Sequence, residues 1–514
     1  MKQNRILFFG VCAVALAVLL NACGQLPPLD GRSRSQALQH TDDTRLGLAV
    51  APLAAAHPGN SGIVLLTDGR DAFAARALLA EAAERSLDVQ YYIWQHDMSG
   101  TLMFEALHRA ADRGVRVRLL LDDNNTDGLD TLLASLNAHP NIELRLFNPF
   151  VNRNWRALGY LTDFPRLNRR MHNKSFTADN QATIIGGRNI GDEYFGAGDM
   201  LFADLDALAI GPVVADVSGD FDRYWASASA YPAELILPPV DQAALSDLTQ
   251  TASLIERDPA AAAYMKALAD SPFVGKLLAG RLPFEWAPTR MVSDDPAKGL
   301  GQAEEEELLL ARLREILGAA RQELLLISPY FVPTAAGVDA LAAIARGGAD
   351  VTILTNSLEA TDVAIVHAGY AKRRKALLEA DVRLYEMKSG VAPGRIHDRG
   401  LTGSPASSLH AKTFSVDRSH LFIGSFNFDP RSARLNTEMG FVIDSSALAQ
   451  AVAAAFSDRI PARSHRVRLD GSGELQWVEQ RAGTELVHDS EPGTSFWQRL
   501  AVRLMSMLPI EWLL

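Results

Sequence analysis

One five-residue pattern occurs twice in this chain at identical spacing, and it restricts the fold more than any other feature. The first copy is His172-Asn173-Lys174, Asp179, then Gly186-Gly187-Arg188-Asn189. The second is His410-Ala411-Lys412, Asp417, then Gly424-Ser425-Phe426-Asn427. His, Lys, Asp, the first Gly and Asn stand at relative positions 0, 2, 7, 14 and 17 in both. A single HxKxxxxD arises by chance in roughly a few per cent of chains this long. Two copies with the same downstream GxxN do not, so the chain reads as a duplication.

The surroundings repeat as well. A β-rich run at residues 87–94 leads to an amphipathic helix at 102–113, Gly114 and a strand at 115–121. In the second half, a run at 324–331 leads to a helix through Ala345, Gly348 and a strand at 351–354. Alternation of this kind predicts α/β units with a mostly parallel sheet. Each His-x-Lys is expected on a strand (residues 171–177 and 409–416), where alternate residues face one side and both side chains point into one cleft. Asp179 and Asp417 fall near the following turns, and residues 184–185 and 421–423 read as return strands that bring each GxxN beside the cleft. Each copy supplies one histidine, one lysine and one GxxN segment, so a site built from both copies requires the halves to pair face to face.

These motifs resemble the phospholipase D superfamily and, more closely, the bacterial cardiolipin synthases of the C-type. The resemblance extends from about residue 60 to the C-terminus and includes residues 88–94, 119–125, 169–174 and 508–514. It implies an α/β fold of two duplicated phospholipase D-like α-β-α sandwich domains sharing one active site. It also implies that one histidine forms a phosphatidyl-histidine while the other protonates the leaving alcohol and then deprotonates the acceptor. By the family pattern His172 is the nucleophile and His410 the acid and base. Lys174, Lys412, Asn189 and Asn427 would hold the phosphoryl oxygens, and Asp204 and Glu438 would orient the histidines. Asp179 and Asp417 complete the catalytic motifs and are expected to brace the site. No cofactor and no metal are expected, since two lysines supply the positive charge. The chain contains neither a G-x-x-x-x-G-K-[ST] loop nor a Rossmann fingerprint.

The implied reaction is transphosphatidylation to cardiolipin, with phosphatidylglycerol as acceptor and phosphatidylethanolamine as donor. The alternatives are a hydrolytic phospholipase D, a nuclease of the superfamily, and a tethered lipid-binding protein without activity. The formal charge of −11 argues against a nucleic-acid partner, and two intact motifs argue against a retired site. A small protein partner is left open.

The N-terminus reads as a targeting segment. Lys2 and Arg5 precede an apolar run at residues 6–20, and Leu20-Asn21-Ala22-Cys23 ends it. That order resembles a bacterial lipoprotein signal (residues 1–22) with lipidation at Cys23; the alternative is an uncleaved anchor. Either one tethers the chain to a membrane of the cell envelope, inner or outer. The remaining organisation is expected as a tether (23–60), domain 1 (61–235), a helical linker (236–290), domain 2 (291–460), and a hairpin with an amphipathic tail (461–514).

Several features carry two readings. Asp123-x-Asn125-x-Asp127-Gly128 copies the start of an EF-hand loop, but Ala134 stands where the closing Glu belongs, so a polar strand-to-helix turn is expected. Arg166, Arg169 and Arg170 would bind lipid phosphate or solvate a loop before the catalytic strand. His367 and Tyr370 would line the site or pack, and residues 372–375 would touch headgroups or face solvent. Residues 389–408, rich in Gly, Pro and Ser, are read as a flap at the cleft. The tail helix after Phe496 would dock on its own protein or lie on a membrane.

Overall fold

The computed structural model describes residues 26–197, 203–240, 250–255, 257–318, 320–389, 409–481 and 483–514. The leader with Cys23 and the flap residues 390–408 lie outside the described residues. Two sheets form, one from each half. The first comprises β1 (Ser61–Leu66), β2 (Ser86–Ile93), β3 (Arg116–Asn125), β4 (Ile142–Phe147), β5 (Ser175–Ala178), β6 (Ala182–Gly186), β7 (Asp206–Ile210), β8 (Ala230–Pro232) and β9 (Glu285–Ala287), in the order β8-β4-β3-β2-β5-β6-β7-β1-β9. The second comprises β10 (Thr289–Ser293), β11 (Glu323–Ile327), β12 (Asp350–Asn356), β13 (Arg383–Met387), β14 (Thr413–Val416), β15 (His420–Gly424), β16 (Met439–Ile443), β17 (Ser464–Leu469), β18 (Leu475–Arg481) and β19 (Thr484–His488). Its order is β10-β16-β15-β14-β11-β12-β13-β17-β18-β19.

Both sheets are mixed, which corrects the expectation of a mostly parallel sheet. The helices Met98–Asp112 and Asp130–Asn137 connect β2, β3 and β4 as parallel neighbours. The motif itself folds as a hairpin, β5–β6 and β14–β15, and a hairpin is antiparallel by construction. The hairpin turns place Asp179 and Asn180 at φ 51° each, and Asp417 and Arg418 at φ 50° and 52°. Positive φ at both central residues is the type I′ geometry that matches strand twist, and after glycine Asp and Asn tolerate it best, which suits three of these four positions.

The sheets pack against each other through an apolar layer drawn from both halves, including Ile185, Ala207 and Ala209 from the first and Leu421, Ile423 and Phe441 from the second. The helices Val213–Trp225 and Ser446–Asp458 contribute Val213, Val217, Val452 and Phe456 to the same layer. Further helices cover the outer faces, among them Gly69–Ala82 and Met98–Asp112 on the first sheet. Each half is thus a sheet between helix layers.

Three boundaries differ from the sequence reading. Residues 26–60, read as a tether, are packed. The Ser35 carbonyl accepts from buried Arg118 (3.0 Å), the Ser33 carbonyl from Arg145 (2.7 Å), and Arg32 donates to the carbonyls of Ser227 and Ala230. Buried guanidinium groups need acceptors on every N–H, and this segment supplies them. The linker contains the helices Pro259–Ala269 and Pro272–Leu278 but ends in β9, an edge strand of the first sheet. The expected C-terminal hairpin forms as β17–β18 and gains β19, so the second sheet extends into the tail.

Candidate active site

Each His-x-Lys lies just before its strand rather than within it. Its backbone is extended and pairs with the other half: Met171 bridges Thr437, and Leu409 bridges Ala203. The His172 N–H donates to the Thr437 carbonyl (2.9 Å), and the His410 N–H to the Ala203 carbonyl (2.9 Å). The residue that follows each bridge partner is a carboxylate, so the duplication delivers it crosswise.

His172 Nδ1 lies 2.8 Å from Glu438 Oε2, and His410 Nδ1 lies 2.7 Å from Asp204 Oδ2. Each histidine is held by a carboxylate from the opposite half, and Lys412 Nζ also lies 3.4 Å from His410 Nε2. An aromatic edge flanks each ring, Tyr92 at 5.0 Å from His172 and Tyr194 at 5.1 Å from His410. Lys174 and Lys412 are buried beside their own histidines, each donating to its carbonyl at 2.5 Å. Asn189 Nδ2 donates to the Tyr194 hydroxyl (3.2 Å), and its Oδ1 accepts the Ile93 N–H. Asn427 is buried and its Oδ1 has no hydrogen-bond partner among the described residues.

The two sides differ electrostatically. Burial, with both lysines adding to it, pushes His172 well below its ordinary pKa. His410 falls to about 4, from burial and Lys412, against the pull of Asp204. Burial would raise Asp204, but His410, Lys412 and Arg188 more than offset it and hold it below the usual carboxylate range. Burial raises Glu438 to about 7 despite Lys174 and a 2.5 Å hydrogen bond from Ser425 Oγ. One histidine is therefore paired with a firmly ionised carboxylate, and the other with a carboxyl group poised between its forms.

Burial lowers Lys412 to about 8, with Asp204 and Glu438 resisting the shift. The ammonium persists below that value and is lost as pH rises through it. Catalytic efficiency should accordingly fall on an alkaline limb near pH 8, and the residual activity of Lys412→Arg should keep its plateau to higher pH, because guanidinium stays charged. A wild-type profile flat to about pH 9.5 would show that Lys412 is not the charge the reaction depends on.

Asp179 and Asp417 do not reach this cleft. They sit at the far ends of β5 and β14, seven residues beyond the histidines, about 20 Å away along an extended chain. The Asp179 carboxylate accepts the N–H groups of Glu84, Arg85 and Ser86, and that of Asp417 accepts those of Arg321, Gln322 and Glu323. Each carboxylate pins its motif hairpin to the start of the neighbouring strand, β2 or β11.

The arginines before the first motif are engaged inside the protein. Arg166 pairs with Asp163, Arg169 donates to the Arg434 carbonyl, and Arg170 donates to the Asn148 carbonyl and meets Asp122 at 3.4 Å. Tyr370 donates to Glu386, and His367 and Arg374 meet Glu491 at 2.9 and 2.8 Å, a buried network that accounts for this helix face. Asp123 accepts the Phe150 N–H and pairs with Arg153 in a strand-to-helix turn. Tyr92, Tyr194 and Ser425 complete the histidine surroundings and were not singled out from sequence. Among the described residues, the side chains close enough to share a metal ion are His108, Asp112 and His139, at the opposite end of the first sheet. His139 Nδ1 accepts the Asn141 N–H (3.1 Å), so its proton is on Nε2 and no lone pair faces the group.

Comparison with known proteins gives consistent matches. The family model described as cardiolipin synthase, PLD-like domain, matches residues 76–225 and 313–460. Cardiolipin synthase C of Escherichia coli (strain K12) is 55% identical over 91% of this chain and 100% of its own length. An uncharacterized protein of Helicobacter pylori (strain ATCC 700392 / 26695) is 33% identical over 91% of this chain and 92% of its own. The crystal structure of phosphatidylserine synthase from Haemophilus influenzae Rd KW20 superposes with a TM-score of 0.54 at 14% identity, covering 82% of this chain and 91% of that one, which shows a shared fold.

Proposed function

The chain belongs to the family of cardiolipin synthase PLD-like domain proteins, and on that premise we propose that it is a phosphatidyltransferase making cardiolipin from two phospholipids. The observation that carries this reading is the pair of buried histidines, each with Nδ1 tied to a carboxylate of the opposite half and each within reach of both lysines. In the first step His172 Nε2 bonds to phosphorus, and the phosphorus–oxygen bond to the leaving alcohol breaks. His410, protonated once the anionic phosphate lies beside it, gives that oxygen its Nε2 proton. In the second step His410 takes the proton of a glycerol hydroxyl, whose oxygen replaces histidine on phosphorus. Bonds broken and formed match in kind, so no nucleotide is consumed. Lys174, Lys412 and Asn427, the last through its Nδ2, hold the phosphoryl oxygens as charge builds on them, whereas Asn189, expected beside them, spends its amide on the Tyr194 hydroxyl and the Ile93 N–H.

His172 is assigned as nucleophile because burial and the two lysines hold its imidazole neutral while Glu438 fixes its Nδ1. His410 is assigned as acid and base because ionised Asp204 stabilises the imidazolium that forms there. The acceptor is phosphatidylglycerol and the donor phosphatidylethanolamine. Lipid analysis after incubating purified protein with phosphatidylglycerol, with and without phosphatidylethanolamine, tests the reading. Cardiolipin should form, and most where both lipids are present. Phosphatidic acid alone would make the protein a hydrolase, and unchanged lipids would remove the enzyme reading.

The enzyme acts at the bacterial envelope. No helix among the described residues is long and apolar enough to cross a membrane. Attachment is assigned to the leader and a lipidated Cys23, on the basic, apolar, Leu-x-Ala-Cys order of the sequence. The intact mass of membrane-extracted protein reads this directly: an unmodified chain beginning at Met1 would leave a plain anchor.

A further inference from the structure

The cleft opens at the C-terminal ends of β2, β3, β11 and β12, and two apolar surfaces border it, one from each half. In the first half, the segment between β4 and the motif carries Trp155, Leu158, Leu161 and Phe164, which are 69, 46, 82 and 40% exposed. The helix Arg156–Thr162 within it buries no residue fully. It is nevertheless fixed in place: the Tyr160 hydroxyl donates to Asn124 Oδ1 (2.8 Å) at the end of β3, and the Tyr160 ring meets Phe150 edge-on. In the second half, the helix Phe496–Met505 and the residues after it present Trp497, Leu504, Met507, Leu508 and Trp512, with Val502 alone buried in the helix.

Arg431 joins the two surfaces. Its guanidinium donates to Asn168, which ends the short helix beginning at Phe164, and to the Leu513 carbonyl beside Trp512. Arg431 is also close enough to His172 to lower its pKa. Both apolar surfaces therefore meet at the rim of the cleft rather than on unrelated sides of the molecule.

We propose that these two surfaces together form the face by which the enzyme settles into the lipid bilayer, the Trp155–Phe164 segment being the half not announced by the sequence. This rests on the phospholipid reading above and adds the surface through which substrate enters. Monomeric proteins rarely leave so many large apolar side chains exposed around one opening. Tryptophan with leucine at the edge of a surface is the composition of an interfacial contact. Net charge does not favour the contact, since the chain carries −11 overall and an anionic bilayer repels it on average, so the apolar side chains must supply the attraction. A diacyl substrate held in the bilayer reaches the histidines only if the cleft is brought to the membrane, and apolar rims on both sides do that.

The test uses the full chain, reconstituted on vesicles of phosphatidylglycerol and phosphatidylethanolamine, with two readouts. In vesicles whose acyl chains are brominated, tryptophan fluorescence should be quenched, and less so in Trp155→Phe. In turnover, Leu158→Ser with Leu161→Ser should lower the rate on vesicles tenfold or more, while the rate on monomeric dihexanoyl lipids stays within twofold. Equal quenching in Trp155→Phe and wild type would overturn the proposal, and so would equal losses on vesicles and monomers. Self-association of the wild-type protein that the serine variant loses would assign the surface to a second copy instead. If wild type turned over neither lipid yet Trp155 were still quenched, the function would fall and the membrane face would stand.

Discussion

Replacing His172 or His410 by alanine should cut steady-state turnover by at least about 10⁴-fold, because the nucleophile and the acid act as one unit and neither is useful alone. The two variants should nevertheless differ on a substrate whose leaving group needs no proton, such as a phosphatidyl ester of nitrophenol. His410→Ala keeps the imidazole that attacks phosphorus, so it should release a burst of nitrophenol equal to the enzyme present and then stall as phosphatidyl-histidine. His172→Ala should give no burst. A burst from His172→Ala and none from His410→Ala would reverse the assignment. More than a tenth of wild-type turnover in either variant would dissolve the shared site.

The second large effect belongs to the carboxylates. Asp204→Asn should cost about 10³- to 10⁴-fold, the scale seen when an orienting carboxylate is replaced by its amide and the imidazole takes the wrong tautomer. Glu438→Gln should cost about tenfold, because burial already raises Glu438 to about 7 and the amide resembles its neutral form. Gly187 offers an independent probe of the same contact. A Cβ there would lie 2.1 Å from Asp204 Oδ1, so Gly187→Ala must displace the carboxylate that holds His410. It should lose activity nearly as far as Asp204→Asn without altering any charged group. Equal losses in the asparagine and glutamine variants, or an unimpaired Gly187→Ala with native circular dichroism, would refute the asymmetry.

Local pattern carried most of this site into the sequence. His172, Lys174, His410 and Lys412 are legible because extended backbone fixes which residues share a face, and the GxxN segments because a hairpin returns them to the same end. Asp179 and Asp417 read from the same pattern as braces near the turns, and they pin the hairpins to β2 and β11, though a spacing of seven does not show how far from the cleft that leaves them. Which carboxylate holds which histidine is a contact between residues far apart in the chain, His172 with Glu438 and His410 with Asp204. No periodicity encodes that. Tyr92 was hidden because an aromatic in a β-rich run reads equally well as a strand former. The mixed sheets escaped for a related reason: helix-connected strands announce parallel pairing, but the hairpin that supplies the antiparallel part reads as chemistry first. Residues 33–35 looked like linker because their contribution is made by backbone carbonyls and serine hydroxyls, which are as common in loops as in packed segments.

The crosswise bridges also bear on how such a site can change over generations. In a two-fold dimer of single-motif chains, every substitution beside the phosphate would be made twice, once on each side, and the two imidazoles would keep identical surroundings. Fusion into one chain removes that constraint. Aspartate stands behind one imidazole and glutamate behind the other, with Gly187 opposite Ser425 at matching positions. A mutation can then tune the attacking side while the proton-donating side is left as it was, so nucleophile and acid become separately heritable traits.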